Sequence, residues 1–185
     1  MNVFINPGHA PSGIPDPGAV NPLTGLRECD VVLAVGTLVD GYLRAAGCAT
    51  QLLQSDLLGY VVGAANSWGA DVFVSIHCNS AANTAAQGTE TWYCHGSLRG
   101  KVLAECIQQQ IVTSLPVIDR GLKEATPGVN GLYVLSNTDM PAALVELAFI
   151  SNPDDECMLA DPAAQDEFAR AIARGITDYF AKGGL

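Results

Sequence analysis

The chain has 185 residues, 49% hydrophobic and 15% charged, which suits one compact domain and is too apolar for a disordered one. Nineteen acidic against nine basic residues give a formal net charge of -10, arguing against a nucleic-acid partner, since such binders present basic surfaces. No apolar run reaches the length of a membrane span, and no basic n-region marks a signal peptide. Six cysteines (Cys29, Cys48, Cys78, Cys94, Cys106 and Cys157) include no C-x-x-C pair and fall mostly in apolar segments. They read as free thiols packed like small hydrophobes.

In chain order, Asn2 to Asn6 forms a first strand that runs into Pro7-Gly8-His9 and a long loop rich in turn residues. A loop of about twenty residues in a compact domain is usually functional. Val31, Val35, Leu38, Val39, Tyr42 and Ala46 recur at helical spacing and predict a helix from Glu28 to Ala46, stopped by Gly47. Cys48 to Leu53 reads as a second strand, and Leu57 to Trp68 as a helix ended by Gly69. Asp71 to Ile76 is a β-branched apolar run suited to a central strand covered on both faces, and it ends at His77.

Thr89 to Cys94 is strand-like, and Ser97 can cap a helix reaching Ser114. The segment starting at Asp119 reads as irregular, Leu132 to Ser136 as a short strand, and Ala142 to Glu146 as a buried strand ending in a carboxylate. Pro162 opens a last helix that runs to Ala181. The pattern implies one α/β domain over residues 1–181, a sandwich with a mostly parallel sheet and some antiparallel pairing at Thr89. Residues 182–185 read as a tail or the start of a linker.

Chemistry-bearing side chains fall where strands end. His9 follows the first strand, His77 the central one, Glu146 ends the run Ala-Ala-Leu-Val-Glu, and Glu28 stands where the long loop meets its helix. In a parallel sheet these ends share one edge. Two histidines and a carboxylate, with water in the open position, make a hydrolytic zinc site, and a second carboxylate then serves as proton carrier. There is no H-E-x-x-H, and the bland readings are real: a histidine at a strand end can be structural, and Glu28 can simply complement a helix dipole. Glu146 is harder to dismiss, because a carboxylate among apolar neighbours is costly unless paired or metal-associated.

The ordered segments Asn6-Pro7-Gly8-His9, Asp16-Pro17-Gly18-Ala19, Glu28, Ser75-Ile76-His77-Cys78-Asn79-Ser80, Gly88-Thr89-Glu90-Thr91-Trp92-Tyr93 and Met140 to Asn152 resemble the motifs of the zinc-dependent N-acetylmuramoyl-L-alanine amidases of the Amidase_3 family, cell-wall hydrolases of autolysin and endolysin type. The resemblance covers residues 2–181. It implies a three-layer α/β sandwich, phosphorylase/hydrolase-like, with a mixed, mostly parallel six-stranded sheet. It also implies one Zn2+ per chain held by His9, Glu28 and His77, with Glu146 catalytic. The implied substrate is peptidoglycan, cut between N-acetylmuramic acid and the L-alanine of the stem peptide, which places the action outside the cell at the wall.

One stretch departs from the family. Thr50 to Asn66 holds no basic residue where members often carry arginines, which puts some substrate contacts in doubt. Asn79 and Arg120 are candidate substrate contacts, and Asn79 alternatively orients His77. Lys123 could meet a stem carboxylate or be solvated, His95 could line the groove or lie on the surface, and Cys78 is expected to pack rather than act as a nucleophile. The interval from His77 to Glu146 leaves little room for the inserted helix that plugs some relatives, so the site is expected to be open without an activator. A monomer is expected, with a separate C-terminal wall-binding domain as one way to bring an acidic protein to an anionic wall. The alternatives are a zinc exopeptidase, which would often need a second metal, and a non-catalytic peptidoglycan-binding domain, which would not need Glu146.

Overall fold

The computed structural model describes residues 1–130 and 132–183; the end of the expected tail, residues 184 and 185, lies outside them. Six strands form one sheet: β1 (Asn2–Pro7), β2 (Ala49–Leu52), β3 (Val72–Asn79), β4 (Thr89–Cys94), β5 (Asp119–Ala125) and β6 (Ala142–Phe149). Their spatial order is β2-β1-β3-β6-β4-β5. The β1/β2, β1/β3, β3/β6 and β4/β5 pairs are parallel, and β4 meets β6 antiparallel, as expected from a strand that follows β3 without a crossover helix.

Period-two alternation splits the strands between two cores. Val3, Ile5, Val74, Ile76, Val145 and Leu147 point to a layer of α1 (Glu28–Ala45), α3 (Leu98–Ser114), α5 (Pro153–Ala160) and α6 (Pro162–Ala181). Phe4, Phe73 and Leu144 point the other way, onto α2 (Leu58–Trp68) and the short α4 (Tyr133–Asn137). The result is the expected three-layer sandwich. His77 and Glu146 lie on the α2/α4 face, in phase with Phe73 and Leu144, where the thinner layer leaves the strand ends uncovered.

Three local expectations are corrected. Leu132 to Ser136 is not a strand: residues 133–137 form the helix α4. A short apolar run carries no decisive period, and here Val134 and Leu135 bury on the second core while Asn137 Nδ2 donates to the Tyr133 carbonyl and Thr138 Oγ1 to that of Val134. The segment at Asp119 is not irregular but an edge strand, whose polar, exposed residues hide the alternation that burial would impose. The helix α5 is an element the sequence reading lacks, although Asn152 caps it by accepting from Asp154 N and Asp155 N, with Pro153 in its first turn. All six cysteines are free, and Cys78 is buried as expected of a residue pointing opposite to His77.

Candidate metal centre and active site

β1 and β3 run side by side, with Asn6 opposite Ser75 and Pro7 opposite Ile76. Gly8 continues this ladder through a hydrogen bond from its N–H to the Ile76 carbonyl. His9 then turns with a positive φ of 68°, a conformation L-residues rarely adopt, and this brings its ring beside His77. The ring centroids are 5.0 Å apart. Glycine is required at this crossing: a Cβ on Gly8 would stand 2.2 Å from His77 Cε1, and one on Gly18 would stand 2.6 Å from both Glu28 Oε2 and His9 Cδ2.

Glu28 reaches in from the first turn of α1, buried to 4% exposure. Its Oε1 lies 3.0 Å from His9 Nε2 and 3.0 Å from His77 Nδ1 and accepts from the Cys78 N–H; its Oε2 accepts from the Ala19 N–H. Burial pushes its pKa up, but the donors from His77 and His9 outweigh this and hold it well below the usual carboxylate range. His9 Nδ1–H donates to Asp16 Oδ2 at 2.8 Å, which fixes the tautomer and turns Nε2 toward the shared point. Although burial works against its charged form, Glu28 and Asp16 raise the His9 pKa from 6.5 to about 9.

The donor set fits a metal. One atom each from His9, Glu28 and His77 can be chosen so that all lie within 4.8 Å of one another. A tetrahedral zinc site with bonds of about 2.1 Å has ligand atoms about 3.4 Å apart, close to the 3.0 Å separations here. His9 Nε2 is buried and makes no aligned hydrogen bond, although Glu28 Oε1 is near in distance. A ring nitrogen aimed at a shared point, with no well-aligned partner among the described residues, is what a metal ligand leaves when only protein atoms are counted.

Glu146 stands directly opposite His77 in the β3/β6 register. Its Oε2 is sealed from solvent without a hydrogen-bond partner among the described residues. Burial, then the nearby Glu28 and Glu90 carboxylates against the attraction of His77, leave its pKa pushed up to about 7 from 4.5. A half-buried carboxylate at that value is poised to exchange a proton near neutral pH. His9, His77 and Glu146 border a pocket of about 250 Å³ that Leu58 and Tyr133 also line.

The structure therefore brings His9, Glu28, His77 and Glu146 to one place. It does not put Asn79 or Arg120 in that pocket's wall. Asn79 Nδ2 donates to Glu90 Oε1 and not to His77; Arg120 Nε donates to Glu90 Oε2 at 2.8 Å, with its guanidinium over the Phe149 ring. His95 is a surface residue beside Glu124, and Lys123 donates to the Arg120 carbonyl. Three contributors were not assigned from sequence. Asp16 orients His9, and its Oδ1 also accepts from Gly18 N, an Asx turn legible in Asp16-Pro17-Gly18. Gln54 Nε2 donates to the carbonyls of Gly8 and Cys29, tying the first loop to α1, and no sequence pattern marks it. Glu90, opposite Glu146 in the β4/β6 register, is buried at 4% exposure as the second residue of β4, and its place between two threonines gave no sequence signal.

Residues 3–178 match the Amidase_3 family, N-acetylmuramoyl-L-alanine amidase. The chain belongs to this family. It is similar to the N-acetylmuramoyl-L-alanine amidase LytC of Bacillus subtilis (36% identity, 96% of this chain, 35% of LytC) and to that organism's germination-specific N-acetylmuramoyl-L-alanine amidase (30%, 98% and 81%). It thus spans about a third of LytC but most of the germination protein. Among solved structures, the N-acetylmuramoyl-L-alanine amidase AmiC2 of Nostoc punctiforme superposes with a TM-score of 0.88 at 34% identity, covering 98% of this chain and 97% of that one. The catalytic domain of CwlV from Bacillus (Paenibacillus) polymyxa gives 0.86 at 31%, covering 98% and 99%. Family membership and the six-stranded mixed sandwich agree with each other and with the motif resemblance.

Proposed function

We propose that this domain is a zinc-dependent hydrolase of the cell wall that cleaves the amide between N-acetylmuramic acid and the L-alanine of the stem peptide. The observation that carries this is the convergence of two imidazoles and one carboxylate beside a second carboxylate, Glu146, whose Oε2 has no partner among the described residues. His9, Glu28 and His77 would hold the ion. A zinc ion there supplies Lewis acidity toward the scissile carbonyl and toward water. Glu146 accepts the proton of the attacking water and returns it to the departing amine of L-alanine, a role suited to its raised proton affinity. Asp16 keeps the His9 ring in one tautomer, and Gly8 and Gly18 keep the space between the rings clear.

The single-domain boundary at about residue 181, monomeric action at the wall and activity without an activator belong to the same reading. Support for the last comes from α4, which lines one wall of the pocket instead of filling it. The test is digestion of purified cell walls by the zinc-loaded domain. New amino groups on L-alanine should appear without new reducing sugar ends, and a chelator should stop their release until zinc is restored. Release of reducing ends, or full activity in the chelated protein, would overturn the proposal.

A further inference from the structure

The charge of the pocket narrows the substrate. Its charged wall residues are Asp16, Asp56 and Glu146, together with His9 and His77, and no lysine or arginine among the described residues lines it. Asp16 is committed to His9 and to the Gly18 N–H. Asp56, half-buried on the wall just before α2, has a carboxylate with no ionic or hydrogen-bond partner among the described residues. Arg120, one strand beyond Glu146, is held by Glu90 and Phe149 and is not part of the wall. A divalent ion among the three ligands would be nearly balanced by Glu28 and Glu146. Asp16 and Asp56 would then leave the pocket net negative.

This argument rests on the amidase reading of the site. In such a substrate the residue after L-alanine lies one peptide unit from the scissile amide, within reach of the pocket wall. It carries either a free carboxylate or a carboxamide, and the residue after it carries an amino group. We propose that the pocket selects stem peptides by charge: it takes the stem amidated at the second residue, with the ammonium of the third directed to Asp56, and discriminates against the free carboxylate. A carboxylate brought into this cleft finds no cation and meets an acidic wall, and like-charge juxtaposition is how interfaces reject a near-isosteric competitor.

The experiment compares two soluble muramyl tripeptides that differ only in a carboxamide or a carboxylate on the second residue, each cleaved by the zinc-loaded domain. The amidated stem should have the higher kcat/KM by about tenfold, the size of one like-charge contact in a half-exposed cleft. The difference should lie mainly in KM and shrink at high salt. D56N should compress the ratio and raise KM for stems bearing the third-residue amine; should that variant fold poorly, the parent's ratio and its salt dependence decide alone. Equal rates, a ratio untouched by salt, or a compact D56N variant with the parent's ratio would overturn the inference while leaving the amidase reading intact. So would a preference for the carboxylate stem that R120Q abolishes, since the stem would then run toward Arg120. No cleavage of either stem would overturn the amidase reading and this inference with it.

Discussion

Replacing Glu146 by Gln separates the two consequences of a carboxylate held against its preference. The substitution keeps the shape and removes the proton carrier, so kcat should fall by about 10²–10⁴-fold with KM little changed. Stability should move the opposite way. The folded state raises the carboxyl pKa from 4.5 to about 7, chiefly through burial. A raised acid favours its neutral form, so the cost is absent below the unfolded value, grows as pH rises through the interval, and is complete above the folded value. The shift corresponds to at most about 3 kcal/mol, or up to about 10 °C in Tm for a domain of this size. The assay is thermal unfolding of parent and variant, both metal-free, at about pH 4 and about pH 9, paired with wall digestion by the zinc-loaded forms. The Tm values should nearly coincide in acid and diverge in favour of the variant in base. In the loaded enzyme the ion's positive charge stabilises the carboxylate, so the acid limb of kcat should lie below 7. A variant that digests walls at the parent's rate, or is less stable at both pH values, would refute the reasoning.

Asp16→Asn should weaken zinc binding by about 10–100-fold, measured by competition with a chromogenic chelator, because the charged acceptor of His9 is lost and the single amide oxygen left cannot serve both His9 and the Gly18 N–H. Gly8→Ala should cost more affinity than that, since the added methyl falls on the His77 ring; zinc content after dialysis will report it. Apparent zinc affinity of the parent should keep climbing with pH to about 9, beyond the ordinary histidine value of 6.5, because the His9 proton must leave before the ring can ligate. The sign is opposite for the metal-free fold, which is helped by His9 below 6.5 and loses that help as pH rises through about 9. Asp155→Ala should destabilise by about 3 kcal/mol in denaturant unfolding, because its Oδ2 accepts from the buried Gly88 and Phe149 N–H groups, tying the start of β4 to the end of β6.

How much of this was legible depends on whether a residue's environment is local. β3 and α6 are written in their own periodicities, and burial on both faces or one confirmed them. β5 is an edge, so nothing forces Asp119–Ala125 to alternate, and only its pairing with β4 makes it a strand. α4 is set by packing against α2, β4 and β6, and α2 and β4 lie far away in sequence. The same division runs through the site. Glu146 betrays itself by its apolar neighbours and the histidines by their strand ends, so the quartet was readable as a possibility. Their convergence needed the parallel β1/β3 and β3/β6 registers. Arg120 was singled out as one of few basic residues able to meet a stem carboxylate, and Asn79 as a residue that orients His77 or touches substrate. Both side chains donate to Glu90, a shared partner on β4 that no spacing rule connects to either.

That partner also sets Glu146 apart from the other acids of the site. Across β3, β6 and β4 the register sets His77, Glu146 and Glu90 in one row, with Glu28 above His77. Three carboxylates in so short a strip repel one another unless each is neutralised or satisfied. Glu28 has two backbone N–H donors and two imidazoles. Glu90 accepts from Asn79, Trp92 and Arg120. The outer two are thus well supplied with donors, while among the described residues the middle carboxylate's Oε2 is left unpartnered. Supplying Glu146 with a donor of its own would make it a better structural acid and a worse base. The sheet keeps the row intact by satisfying its flanks, and the unsatisfied position in between is the one free to exchange a proton.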